Sequence, residues 1–110
     1  ADAHIFICKN MNIEHPFGIH YDLSHNVIVQ CEGRTNFKVW NELEDKNVPR
    51  CNLPITEIPI LNVDMEPGDA IFIPAYYPHL ATSITDRISV SFPFSPHNDF
   101  TLQNREWIQI

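Results

Sequence analysis

The sequence predicts an all-β domain, a sandwich or a rolled barrel, on three observations. Short runs rich in Val, Ile, Phe and Thr recur along the chain, turn chemistry separates them, and one run alternates polar and apolar residues with the period of a half-buried strand. The composition agrees: 9 Pro and only 3 Gly in 110 residues, with 44% apolar and 11% aromatic residues, suit strands and turns better than helices. That length sits near the common domain size, so one core and one domain over residues 1–110 are expected.

Ala3 to Cys8 reads as the first strand, ending in Lys9-Asn10. Asn26 to Cys31 is the second, and Glu32-Gly33-Arg34 after it resembles a hairpin turn. Asn36 to Trp40 carries the alternating pattern. Asn41 to Pro54 is polar with two prolines and should be a loop, with room for one helical turn. Thr56 to Ile58, Ala70 to Pro74 and Arg87 to Phe94 are three more strand candidates. Pro67-Gly68-Asp69 is a strong turn before the second of these, and Pro93 and Pro96 should end the third. Asp99 to Ile110 is ambiguous between a short helix and an edge strand. Its Trp107-Ile108-Gln109-Ile110 end could pair with a neighbour, so a homodimer is one expectation for a minimal barrel whose sheet edges need cover.

The charge excludes some functions. Net charge is −7 and the basic residues are scattered singly, so nothing is clustered to neutralise a run of phosphates and nucleic-acid binding is not expected. No apolar stretch approaches the ~20 residues of a membrane span, and none reads as a secretory segment. Cys8, Cys31 and Cys51 lack metal-type spacing and cannot all pair within one chain, which fits reduced thiols in a cytoplasmic protein.

His20-Tyr21-Asp22 places two potential ligands two residues apart. On a strand such residues share a face about 7 Å apart, so both can aim into a barrel while Tyr21 points away. His79 closes a second hotspot, Pro74-Ala-Tyr-Tyr-Pro-His79, where a strand runs into an aromatic turn. Two imidazoles and one carboxylate make a facial triad with open positions, the ligand set of non-haem Fe(II), for which Ni or Zn can substitute. By itself the His-x-Asp pair is also what a capping Asp beside a surface His would look like. His4, His15, His25 and His97 read as solvated or satisfied polar residues, with a supporting role open to His15 and His25. Trp40 and Trp107 read as packing residues, and Tyr76 and Tyr77 as either lining the mouth or holding the turn.

The surroundings of the ligands carry a resemblance. Gly18-Ile-His-Tyr-Asp-Leu-Ser-His-Asn-Val-Ile-Val-Gln-Cys-Glu-Gly-Arg-Thr-Asn-Phe-Lys-Val-Trp40 resembles the first metal-binding stretch of JmjC-like cupins, in which H-x-D runs into N-hydrophobic-Q-x-x-G-R/K. Pro67-Gly-Asp-Ala-Ile-Phe-Ile-Pro-Ala-Tyr-Tyr-Pro-His79 looks like the second stretch, and Arg87-Ile-Ser-Val-Ser-Phe92 is similar to the closing inner strand. These motifs lie within residues 18–94 of the single cupin-like domain. The resemblance implies a double-stranded β-helix, the cupin or jelly-roll barrel. It also implies an Fe(II)/2-oxoglutarate-dependent dioxygenase that hydroxylates a protein or a small molecule, with His20, Asp22 and His79 as its metal ligands and catalytic centre.

The cosubstrate is the point of departure. JmjC-like enzymes usually carry Lys or Arg where this chain has Thr35, and often Thr where it has Phe17. Asn26 matches a family Asn that can face the cosubstrate. A buried carboxylate needs a cation, best a bidentate Arg. Arg87, Ser89 and Ser91 share a strand face, and Arg87-Ile-Ser89 resembles the R-x-S carboxylate clamp of other 2-oxoglutarate oxygenases, with a tight hairpin required between His79 and Arg87. A surface position beside Asp86 is the plain alternative for Arg87. Lys38 is the other cation, although its alternation with Phe37 and Val39 turns it outward. Two further functions stay open: a metal-binding cupin without 2-oxoglutarate (an isomerase, another dioxygenase or a lyase), and a non-catalytic ligand-binding module.

Overall fold

The structure, a computed structural model, describes residues 3–9, 13–14 and 16–95. The expectations for His15, Pro96, His97, Trp107 and the Asp99–Ile110 tail fall outside these residues. Eight strands are described: β1 (His4–Cys8), β2 (Ile13–Glu14), β3 (His25–Glu32), β4 (Thr35–Val39), β5 (Leu61–Met65), β6 (Ala70–Ile73), β7 (His79–Ser83) and β8 (Arg87–Phe94). They form two antiparallel four-stranded sheets, ordered β1-β8-β3-β6 and β2-β7-β4-β5. This is a double-stranded β-helix: apart from the β4-β5 hairpin, successive strands alternate between the sheets, so the chain winds round one shared interior.

The side-chain period decides what lines that interior. On β4, Thr35, Phe37 and Val39 are buried while Asn36 and Lys38 face outward. Ile28, Phe37, Val39, Met65, Ile71, Ile73 and Ala81 make the apolar core. The inward positions of β3 and β8 are largely polar instead: Asn26 and Gln30 on one strand, Arg87, Ser89 and Ser91 on the other, all buried. A polar gallery therefore runs along this wall, faced across the barrel by the buried Thr35, His79 and Ser83.

Several sequence expectations are corrected. The turn at Glu32–Arg34 is not a hairpin, because β3 and β4 lie in different sheets. Likewise β7 and β8 lie in different sheets, so His79 and Arg87 are linked by a sheet-crossing turn and not by a hairpin. The two crossings bind each other: the Ile84 and Thr85 amides donate to the Arg34 carbonyl, and the Arg34 amide donates to Thr85 Oγ1. Gly33 makes this contact feasible. Its φ is +69°, and a Cβ there would sit 1.7 Å from the Asp86 carbonyl oxygen. Thr56–Ile58 is not a strand; Pro54 and Pro59 flank it and Ile58 is exposed, while the strand is Leu61–Met65. Residues 41–54 form a loop with turns and no helix. Pro93 sits inside β8 opposite Asn26, beyond the described reach of β1, so only one neighbouring strand flanks it among the described residues. No helix among the described residues is long and apolar enough to cross a membrane.

Candidate metal centre

His20 and Asp22 do not lie on a strand. His20 makes an isolated antiparallel bridge with His79, and the Asp22 carbonyl accepts the Tyr76 amide. In the bridge, the His20 amide donates to the His79 carbonyl at 3.1 Å and the His79 amide donates to the His20 carbonyl at 2.8 Å. Directly opposed residues of an antiparallel pair put their side chains on one face, so the bridge aims both imidazoles at one point. Their ring centroids are 4.3 Å apart. Asp22 Oδ2 lies 3.4 Å from His79 Nε2, and one ligand atom from each of the three residues falls within 4.8 Å of the others.

Tautomer and charge suit a divalent ion. The Nδ1–H of His20 donates to the Gly18 carbonyl at 3.0 Å, and that of His79 to the Tyr77 carbonyl at 2.9 Å, leaving both Nε2 lone pairs inward. Burial, then the nearby His79, lower the His20 pKa from its ordinary 6.5, against the opposing pull of the Gly18 carbonyl and Asp22. That favours the neutral imidazole a metal requires. Burial raises the Asp22 carboxyl, but the contact with His79 Nε2 and the charges of His79, His20 and Arg50 outweigh it, and its pKa lies below the ordinary 3.8. Asn26 Nδ2 donates to Asp22 Oδ2 at 3.0 Å and accepts on Oδ1 from Ser91 at 2.7 Å, which fixes its amide orientation. These residues fit a divalent metal ion.

A cavity of about 910 Å³ opens from the three ligands into the barrel, and Asn26, Ser91 and Arg87 contribute to its wall. Arg87 is only 7% exposed. Its Nε donates to Ser83 Oγ at 2.9 Å and its Nη1 to Ser89 Oγ at 3.0 Å, while Ser89 donates to Gln30 Oε1 at 2.9 Å. Burial lowers its pKa, the neighbouring Cys8 opposing. No carboxylate of the described residues pairs with it. Thr35, directly across from Ser83, is fully buried, and its Oγ1 has no hydrogen-bond partner among the described residues.

Lys38 is not in the cavity. It lies on the outer face of β4 and donates to Asn36 Oδ1 at 2.8 Å, which removes it as a cosubstrate cation. Tyr21 turns away as expected, buried, with its hydroxyl on the Val48 carbonyl and its ring stacked on Tyr76. Tyr76 lines the cavity at a φ of 66°, an uncommon conformation for a non-glycine residue. His25 accepts the Ala75 amide on Nδ1, which ties the start of β3 to the aromatic turn. Trp40 is buried with its Nε1–H on the Glu57 carbonyl.

Three participants were given no role by the sequence reading. Ser83 was open to discovery, since it shares a strand face with His79 four residues earlier. Gln30, in the same face register as Asn26, supports Ser89 and bonds the Glu32 and Gly33 carbonyls. Arg50 had no signal, because it comes from an irregular loop 28 residues after Asp22 and reaches Asp22 Oδ1 at 3.3 Å.

Taken together, a rolled double sheet with a His-Asp-His cluster near one mouth defines a metal-binding cupin. A family model for the JmjC domain matches residues 4–102, and the chain belongs to that family. No curated protein sequence matches it. Among solved structures, the ribosomal oxygenase YcfD from Escherichia coli in complex with cobalt and 2-oxoglutarate is 23% identical, with a TM-score of 0.68 over 94% of this chain and 28% of that one. The chain thus spans less than a third of the length of YcfD. Drosophila melanogaster CENP-C bound to CAL1 matches at 12% identity and TM-score 0.60, over 84% of this chain and 60% of that one. Hydroquinone 1,2-dioxygenase from Sphingomonas sp. TTNP3 matches at 6% identity and TM-score 0.61, over 83% and 58%. These likenesses show the fold.

Proposed function

We propose that this barrel is the catalytic unit of an Fe(II)- and 2-oxoglutarate-dependent oxygenase that hydroxylates a protein side chain or a small molecule. One observation carries the reading: the His20-Asp22-His79 cluster and a buried arginine without a carboxylate partner among the described residues line the same cavity. An uncompensated buried cation is costly, and a ligand carboxylate would supply its missing partner. Two of the five guanidinium N–H donors are held by Ser83 and Ser89, which orients the remainder for bidentate contact. The partnerless Thr35 hydroxyl beside Ser83 offers one more donor to the same group. On this reading the cation that the family usually carries at the Thr35 position has moved across the barrel to β8.

His20, Asp22 and His79 would hold the metal, with Asn26 steadying the carboxylate. Bound together, Fe(II) and 2-oxoglutarate supply the oxidative chemistry, in which O2 is reduced, 2-oxoglutarate becomes succinate and CO2, and a substrate C–H bond is hydroxylated. The chain's part is to anchor the far carboxylate on Arg87, keep the His20 imidazole neutral, and enclose the reacting centre within the barrel. Cys8, Cys31 and Cys51 form no disulfide with one another, which fits a reducing cytoplasmic setting.

Purified protein loaded with Fe(II) should turn 2-oxoglutarate over to succinate, and His20→Ala or His79→Ala should abolish both metal retention and succinate formation. Metal retained without any succinate would favour a cupin that works without 2-oxoglutarate, a reading to which the uncharged Thr35 lends support. A folded protein that takes up no divalent metal would leave only a non-catalytic module.

A further inference from the structure

We propose that Arg50 is a positioning residue that keeps Asp22 a one-oxygen ligand and so preserves a coordination position for the cosubstrate. The inference rests on the reading of His20, Asp22 and His79 as metal ligands. The two oxygens of Asp22 are treated differently. Oδ2 faces the imidazoles, 3.4 Å from His79 Nε2, and accepts Asn26 Nδ2 at 3.0 Å. Oδ1 is taken by Arg50 Nη2 at 3.3 Å. A carboxylate can bind a divalent ion through one oxygen or both. Through one, an octahedral ion with two imidazoles keeps a full face of three positions open. Through both, one of those positions is lost, and a chelating 2-oxo acid together with O2 no longer fits.

The guanidinium is held at both ends of its fork. Its Nε donates to the Tyr21 carbonyl at 3.3 Å, and the Arg50 carbonyl accepts the Tyr21 amide at 3.1 Å. On either side, the Asn52 and Leu53 amides donate to the Phe17 and Ile19 carbonyls, each at 2.8 Å, and Tyr21 Oη donates to the Val48 carbonyl at 2.6 Å. The loop is thus laced along the ligand segment with or without the Arg50 side chain. A pair whose side chains are 52% and 25% exposed adds little stability. A cation beside a divalent-metal site also repels the metal, so an uncharged side chain would serve better if holding the loop were the only role.

The test uses the whole chain carrying Arg50→Ala, with Co(II) as the metal probe and 2-oxoglutarate added second. Co(II) should bind as tightly as to the parent, or up to about tenfold more tightly once the repulsion is gone. Affinity of the Co(II)-loaded protein for 2-oxoglutarate should fall about tenfold or more, and the Co(II) visible spectrum should change before 2-oxoglutarate is added. An unaltered spectrum overturns the proposal, whether 2-oxoglutarate affinity holds or falls, since a fall alone would mean direct contact between Arg50 and the cosubstrate. Loss of Co(II) affinity together with 2-oxoglutarate affinity overturns it too, as the sign of a scaffold role. Asp22→Ala and His79→Ala separate this failure from that of the parent reading: if both still bind Co(II), the ligand assignment itself is wrong.

Discussion

The two ends of the cavity handle charge in opposite ways. At the mouth, Asp22 meets two imidazoles, an amide and Arg50, so every charge has a partner within the chain and Asp22 is a quarter exposed. At the deep end Arg87 is buried among hydroxyls, with no carboxylate of the described residues in reach. The supports differ as well. The mouth is a loop segment laced to another loop, while the deep end is closed by two sheet-crossing turns bonded to each other. A centre complete in itself at one end and a cation awaiting an anion at the other is the arrangement expected where the anion is a ligand.

The contrast can be broken most forcefully at Gly33. Gly33→Ala drives a Cβ into the Asp86 carbonyl at a φ of +69°, and should cost about 3 kcal/mol or more, read as a fall in the urea midpoint. Arg87→Met acts on ligand binding instead. Affinity for 2-oxoglutarate should drop about 100-fold, with metal content unchanged and apo stability equal or higher, by calorimetry and thermal melting. Lys38→Ala, outside the barrel, should change none of these; a loss of 2-oxoglutarate affinity there and not in Arg87→Met would reverse the assignment of the clamp. Gly18→Ala loads the mouth more gently. At φ +59° the close approach of a Cβ is to the flexible Asn52 Oδ1, with the Asn52 backbone at ordinary contact distance, so about 1–2 kcal/mol is expected.

The smallest effect is that of pH on the metal-free protein. His20 has a pKa below 6.5 when folded, so as pH falls through 6.5 the unfolded chain takes up its proton first and stability declines. Asp22, depressed below 3.8, contributes stability above that value and loses it as pH falls further, through its folded pKa. Urea midpoints should therefore fall from pH 7.5 to 5.5, and His20→Gln should flatten that slope. An equally steep slope in the variant would place the titration elsewhere.

Much of this was readable in advance, for reasons particular residues make clear. Ser89 and Ser91 follow Arg87 at period 2, so one inward-facing member implies the others, and the His-x-Asp and distal His were embedded in long motifs. The period says which face a residue takes but not which strand lies beside it, and for that reason Glu32–Arg34 passed for a hairpin turn although it crosses between sheets. Thr56–Ile58 lies between two prolines, while in Leu61–Met65 the outward Asn62 and Asp64 bond Asn36 across the strand pair, and that pairing decided which segment became the strand. Arg50 left no local trace.

By itself the sequence determined the residue chemistry and the inward and outward faces, because a strand's alternation and a turn's backbone demands are local properties of the chain. Tertiary structure alone decided which strands became neighbours, that His20 and His79 share a backbone bridge, and that Arg50 reaches Asp22. Each of these joins residues far apart in the chain. Such contacts follow from closure of the whole barrel, where burial and hydrogen bonding are satisfied collectively, and no short window of residues encodes them.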